Sequence, residues 1–146
     1  MHQITDRLFV GNIYDARQPT TQVSAVLLVA EEYDIDAPGG VVYGRIPFKE
    51  YGEVHSKTLA RAVNWVERQV ADNRVMVCCR AGMGRSVSVV MAYLCCVERM
   101  AYADVLKLVM ACRPGAMPLP KLEETIQEVC RLRKSARTCA NEASDR

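Results

Sequence analysis

The sequence predicts an α/β domain with a central, mostly parallel sheet flanked by helices. Short apolar runs of strand length alternate with helical patterns in the first half, and the second half is helical throughout. One of the runs, AVLLVA (25 to 30), is continuously apolar, as expected of a strand covered on both faces. At 146 residues, half of them apolar, the chain suits one ordinary domain and is too short for two. We assign residues 1–134 to that domain and 135–146 to a polar tail.

In chain order, RLFVG (7 to 11) reads as a short strand closed by glycine, and 25 to 30 as the central strand. VVYGRIPF (41 to 48) follows a Pro-Gly-Gly turn and reads as a third strand ending near Pro47. Between Ser56 and Val70, Leu59, Ala62, Val63, Val66 and Val70 recur at helical spacing with charges opposite. RVMVC (74 to 78) is the fourth strand. Residues 86 to 98 are apolar almost all round, which predicts a buried helix. Two amphipathic helices follow, over 102 to 112 and 119 to 133, the second with Pro118 and Pro120 near its start. The last dozen residues are polar and are expected to fray.

Composition narrows the function. A net charge of +2 with acids and bases interspersed marks no nucleic-acid or membrane surface. The longest apolar run, roughly 87 to 97, is about half of what a membrane span needs. The N-terminal residues carry charges early and have no signal-peptide core, so a soluble, cytoplasmic monomer is expected. Seven cysteines are an odd number, and four lie in the adjacent pairs Cys78-Cys79 and Cys95-Cys96. Neighbouring Cα atoms stand ~3.8 Å apart, closer than a disulfide prefers, so structural disulfides are not expected. With two histidines and no Cys-x2-Cys pair, neither is a metal; no organic cofactor is expected.

The chemistry concentrates in VMVCCRAGMGRSVSVV (75 to 90), a strand that breaks into a glycine-containing loop and resumes as a helix. A helix starting near Arg85 or Ser86 offers unpaired N–H groups and the positive end of its dipole. A loop wrapped round that end (Arg80, Ala81, Gly82, Met83, Gly84) aims further N–H groups at one point and makes an anion site. Arg85 adds a planar fork for two phosphate oxygens. A cysteine at the base of this field is favoured as thiolate, and Ser86 can hydrogen-bond its sulfur. Strand alternation turns Cys78 to the opposite face, leaving Cys79 as the nucleophile and Cys78 as a buried structural residue.

CRAGMGRS (79 to 86) resembles the signature loop of the cysteine-dependent dual-specificity protein phosphatases. The resemblance extends over roughly residues 4 to 132. ITDRLFVGNIYDA (4 to 16) is similar to that family's opening strand and loop, and YGRIPFKE (43 to 50) to the segment carrying its general acid. ACRPGAMPLPKLEETI (111 to 126) is similar to its Arg-Pro-x-x-x-Pro segment. The resemblance implies that Cys79 takes the phosphoryl group from a phosphorylated protein or other phosphomonoester. Arg85 and the loop amides hold its oxygens, and water then releases phosphate.

Two departures stand out. The family usually has histidine where Cys78 stands, which implies a less acidic Cys79 or a less firmly braced loop. Its general acid is usually aspartate, and here Glu50 occupies that place, with Glu53 as runner-up. A phosphate-binding module without turnover is therefore the competing reading. A basic residue at the place of Arg80 also occurs in relatives that act on phospholipids, which keeps non-protein substrates open. CRAG also resembles the start of a sulfurtransferase (rhodanese) loop, but that loop is usually one residue shorter and the helical C-terminal third fits it poorly. His55 reads as a helix cap or exposed residue and Trp65 as packing, while Tyr14, Tyr33, Tyr43 and Tyr51 are candidates to line a pocket. A thiolate at Cys79 should make the protein sensitive to peroxide and recoverable by thiols.

Overall fold

The apolar runs form a five-stranded sheet of order β1-β2-β5-β3-β4, built from β1 (His2–Gln3), β2 (Leu8–Gly11), β3 (Ala25–Ala30), β4 (Val42–Phe48) and β5 (Val75–Cys78). β2, β5, β3 and β4 run parallel, and only β1 is antiparallel, pairing His2 with Val10. This is a computed structural model; it describes residues 1–144, with side chains described through residue 138. Every residue of β3 and β5 is buried, which is why both read as unbroken apolar segments.

Five helices accompany the sheet: α1 (Ile13–Arg17), α2 (Ser56–Val70), α3 (Arg85–Cys96), α4 (Tyr102–Cys112) and α5 (Leu122–Ser144). α3 is the central one, touching β2, β3 and β5 on one side and α2, α4 and α5 on others. All of its residues from Arg85 to Leu94 are buried. α1 and β1 were not anticipated. α1 is a single turn held by a capping box, in which Asn12 accepts from the Asp15 amide and Asp15 accepts from the Asn12 amide.

Two expectations are corrected. Cys96 is joined to Cys130 in a disulfide that ties α3 to α5, with Cα atoms 5.2 Å apart. The adjacency argument excludes a bond between neighbours such as Cys95 and Cys96. It does not reach a cysteine 34 residues away that helix packing brings alongside. The last helix also starts and ends later than its apolar spacing suggests. Pro120 and a positive φ of 56° at Lys121 delay its start to Leu122. Beyond 133 it continues through alanine- and arginine-containing sequence of good helix propensity to Ser144, rather than fraying from 135. No helix among the described residues is long and apolar enough to cross a membrane.

Candidate active site

β5 ends at Cys78, and the chain wraps through residues 79–84 before α3 begins at Arg85. Cys79 is 2% exposed, at the base of this loop, and its Sγ lies 3.2 Å from the Ser86 Oγ. Cys78 is fully buried, and burial pushes its thiol well above the usual range, which keeps it neutral.

The loop is tied down from outside at five consecutive carbonyls. Arg80 O accepts from the Ile13 amide at 3.1 Å, and Met83 O from the Met117 amide at 2.7 Å. The Arg113 guanidinium donates to Ala81 O at 3.2 Å and to Gly82 O at 3.0 Å. Gly84 O accepts from both the amide and the hydroxyl of Ser88, at 2.9 and 2.8 Å. With the carbonyls drawn outward, the amides of residues 80–84 donate to no protein acceptor among the described residues. A ring of free N–H groups at the N-terminus of a buried helix is an anion cradle. The looser loop implied by Cys78 is therefore offset by braces that do not involve position 78.

Gly82 is the glycine this shape requires. It has φ +71°, and a Cβ there would come within 2.6 Å of both the Gly11 carbonyl oxygen and the Arg113 guanidinium. Gly84 needs no such freedom, because its φ is −116° and its nearest neighbour to an added Cβ stands 3.3 Å away.

Arg85 is buried and fixed by Glu32, just past the C-terminal end of β3. Its Nη1 and Nη2 donate to the two Glu32 carboxylate oxygens at 2.7 and 2.5 Å, and Nη1 also donates to the Phe48 carbonyl at 3.2 Å. Three of the five guanidinium donors are thus engaged. The two that remain, Nε–H and one Nη2–H, lie side by side on one edge of the plane and form a second fork without a protein acceptor among the described residues. The bonds from Arg85 hold the Glu32 carboxyl below the usual carboxylate range, against a smaller opposing effect of burial.

The acids named from sequence separate in space. Glu50 reaches the mouth of the loop, where its Oε1 lies 3.2 Å from Arg80 Nη1. Glu53 points elsewhere, pairing with Lys121 at 3.3 Å. The tyrosines divide likewise. Tyr14 (72% exposed) follows Ile13, which holds Arg80 O, and Tyr51 (83% exposed) follows Glu50. Tyr43 instead donates to Asp34, and Tyr33 packs under the Arg17 guanidinium. His55 caps α2 by accepting from the Lys57 amide.

Glu32, Ser88 and Arg113 were not singled out from sequence. Arg113 lies in the CRPG stretch that the resemblance covers, and a buried arginine preceding proline at a helix end is the signal available there. It also contacts His2, with Nη1 at 2.6 Å from the imidazole Nδ1. Arg113→Met should leave two loop carbonyls without donors and lower the unfolding free energy by about 2–4 kcal/mol in urea denaturation. An unchanged urea midpoint would show that the loop stands without this brace.

A buried cysteine beneath a ring of free amides, at the end of a parallel strand and beside a fixed arginine, defines the cysteine-phosphatase class of α/β domain. Residues 8–131 match the family described as dual specificity phosphatase, catalytic domain, and the chain belongs to that family. It is similar to dual specificity protein phosphatase 22 of Mus musculus, 31% identical over 137 residues, covering 88% of this chain and 72% of that protein. It is also similar to dual specificity protein phosphatase 15 of Mus musculus, 25% identical over 134 residues, covering 88% of this chain but only 57% of that relative's length. Among solved structures, that of DUSP15 superposes with a TM-score of 0.77 at 25% identity, covering 88% of this chain and 85% of the other. That of PTPMT1, at 21% identity and a TM-score of 0.75 over 95% and 98%, shares the fold.

Proposed function

We propose that this domain hydrolyses phosphomonoesters of phosphotyrosine, and of phosphoserine and phosphothreonine, in proteins through a cysteinyl-phosphate intermediate. The observation that carries the reading is the cradle: five loop carbonyls bonded outward, free amides inward, and an Arg85 fork not engaged by the protein, all around Cys79. A dianionic phosphoryl group matches that donor set in charge and in geometry. The catalytic unit is assigned to residues 1–134, which contain the whole matched segment, and its working compartment to the cytoplasm.

In the first step the Cys79 thiolate attacks phosphorus in line with the ester oxygen. The S–P bond forms, the P–O bond breaks, and Glu50 gives the departing oxygen a proton. The Nε–H and Nη2–H of Arg85 and the loop amides hold the equatorial oxygens throughout. In the second step water attacks the phosphocysteine, yields its proton to the Glu50 carboxylate, and releases inorganic phosphate. Ser86, 3.2 Å from Sγ, stabilises the sulfur as it leaves. For Glu50 to serve, its contact with Arg80 has to open, which the incoming phosphate favours by drawing on the same arginine.

The test separates the two carboxylates by leaving group. Glu50→Gln should cost less than about fivefold in kcat/KM on p-nitrophenyl phosphate, whose leaving group needs little proton donation, and about 10²-fold on phenyl phosphate. Glu53→Gln should leave both unchanged. Equal, small losses for Glu50→Gln on the two substrates would remove it as the acid. No turnover in the wild type with phosphate still bound would mean a binding module.

A further inference from the structure

Arg61, Asn64, Trp65 and Arg68 fall at i, i+3, i+4 and i+7 of α2, so they share one face of that helix. That face meets β4, and with Gly44 and Arg45 it lines a depression of about 460 Å³. Three guanidinium groups border this space and no carboxylate does. Trp65 lies over Gly44, where any Cβ would collide with the indole.

The neighbouring acids are committed elsewhere. Glu67 pairs with Arg133 and Arg137 on α5, and Asp34 accepts from the Tyr43 hydroxyl, although it also feels the charge of Arg45. Arg45 is pinned by the carbonyls of Tyr33 and Glu31, at 2.8 and 2.9 Å. Arg61 and Arg68 have no acidic partner among the described residues. In a chain of net charge +2, this is a local concentration of unneutralised cations with a concave shape.

We infer that the depression is a docking site for an acidic or phosphorylated segment of the protein substrate; the identity of that partner rests on the phosphatase reading. Two features favour a polypeptide over a lipid headgroup. β4 is an edge strand, so the depression opens beside main-chain groups that no further strand covers, which suits an extended segment. The same strand ends at Phe48, whose carbonyl accepts from Arg85, so β4 leads from the depression toward the phosphate site. At ~3.3 Å per residue, Arg45 lies roughly 10 Å along the strand from Phe48. A substrate whose chain follows β4 outward from its phosphorylated residue would bring an acidic group against Arg61 and Arg68.

Trp65 is the only tryptophan in the chain, so its fluorescence reports on this depression directly. In Cys79→Ser protein, which binds without turnover, we would titrate a phosphotyrosine peptide flanked by glutamates and the same peptide with glutamines. The acidic peptide should shift the indole emission and bind at least fivefold more tightly. Arg61→Glu/Arg68→Glu should abolish the shift and the preference, while the same double substitution in the active enzyme leaves p-nitrophenyl phosphate hydrolysis within twofold. Equal affinity for the two peptides, or a preference that survives the double substitution, would overturn the inference. So would a Trp65 response to phosphatidylserine vesicles but not to peptide. If the wild type fails to hydrolyse p-nitrophenyl phosphate yet the peptide preference persists, docking stands and only the phosphatase reading falls.

Discussion

Cys79→Ser should reduce hydrolysis of p-nitrophenyl phosphate by at least about 10⁴-fold, the order expected when a covalent nucleophile is removed. Phosphate affinity should change little, because the cradle is built from main-chain amides and Arg85 rather than from sulfur. Cys78→Ser makes the informative control. That residue is the immediate neighbour in the chain, but it is buried on the other face and held neutral. It should alter stability far more than turnover. Loss of activity in both variants to the same extent would mean that the choice between the adjacent cysteines is wrong.

The second large effect belongs to Arg85. Arg85→Lys should lower kcat/KM by about 10³-fold, measured by steady-state hydrolysis, even though the charge is kept. A lysine is a point donor and cannot face Glu32 with one fork while offering phosphate another. The pair also sets a pH dependence. Because the folded carboxyl of Glu32 is depressed below its ordinary value of about 4.5, its contribution to stability is present in full above that value and is lost as pH falls through the folded one. The Arg85–Glu32 arrangement should hold from pH 5 to 8. Any acid limb of activity in that window then belongs to other groups, and Glu32→Gln should leave its position unmoved.

What could be read from sequence was what is local. The strands 25 to 30 and 75 to 78 are unbroken apolar runs, and the helix after the loop is mostly apolar, because both faces are covered. Cys79, Gly82, Arg85 and Ser86 fall within one turn of chain, so their spacing alone places them round a single point. Glu32 acts on Arg85 from 53 residues away and Arg113 on Gly82 from 31; nothing near Glu32 marks it, and the Arg-Pro stretch around Arg113 does not say what the side chain reaches. They become partners only because β3 lies beside β5 and α4 ends over the loop. The disulfide between Cys96 and Cys130 has the same origin, in the packing of α3 on α5. Glu50 and Glu53 stand three residues apart in sequence with similar surroundings, and the turn between them sends one to Arg80 and the other to Lys121. The basic face of α2 was hidden for a related reason. Its arginines are interspersed with apolar residues in sequence and gather only when the helix is wound.

The central claim is that phosphate passes through the Cys79 sulfur. Rapid mixing of the reduced wild-type protein with p-nitrophenyl phosphate, quenched in acid and followed by peptide mass analysis, tests it directly. The account predicts a burst of p-nitrophenol approaching one per site and a phosphoryl group on the peptide carrying Cys79, absent from Cys79→Ser. Steady turnover with no phosphorylated Cys79, or with the phosphoryl group on another residue, would contradict it.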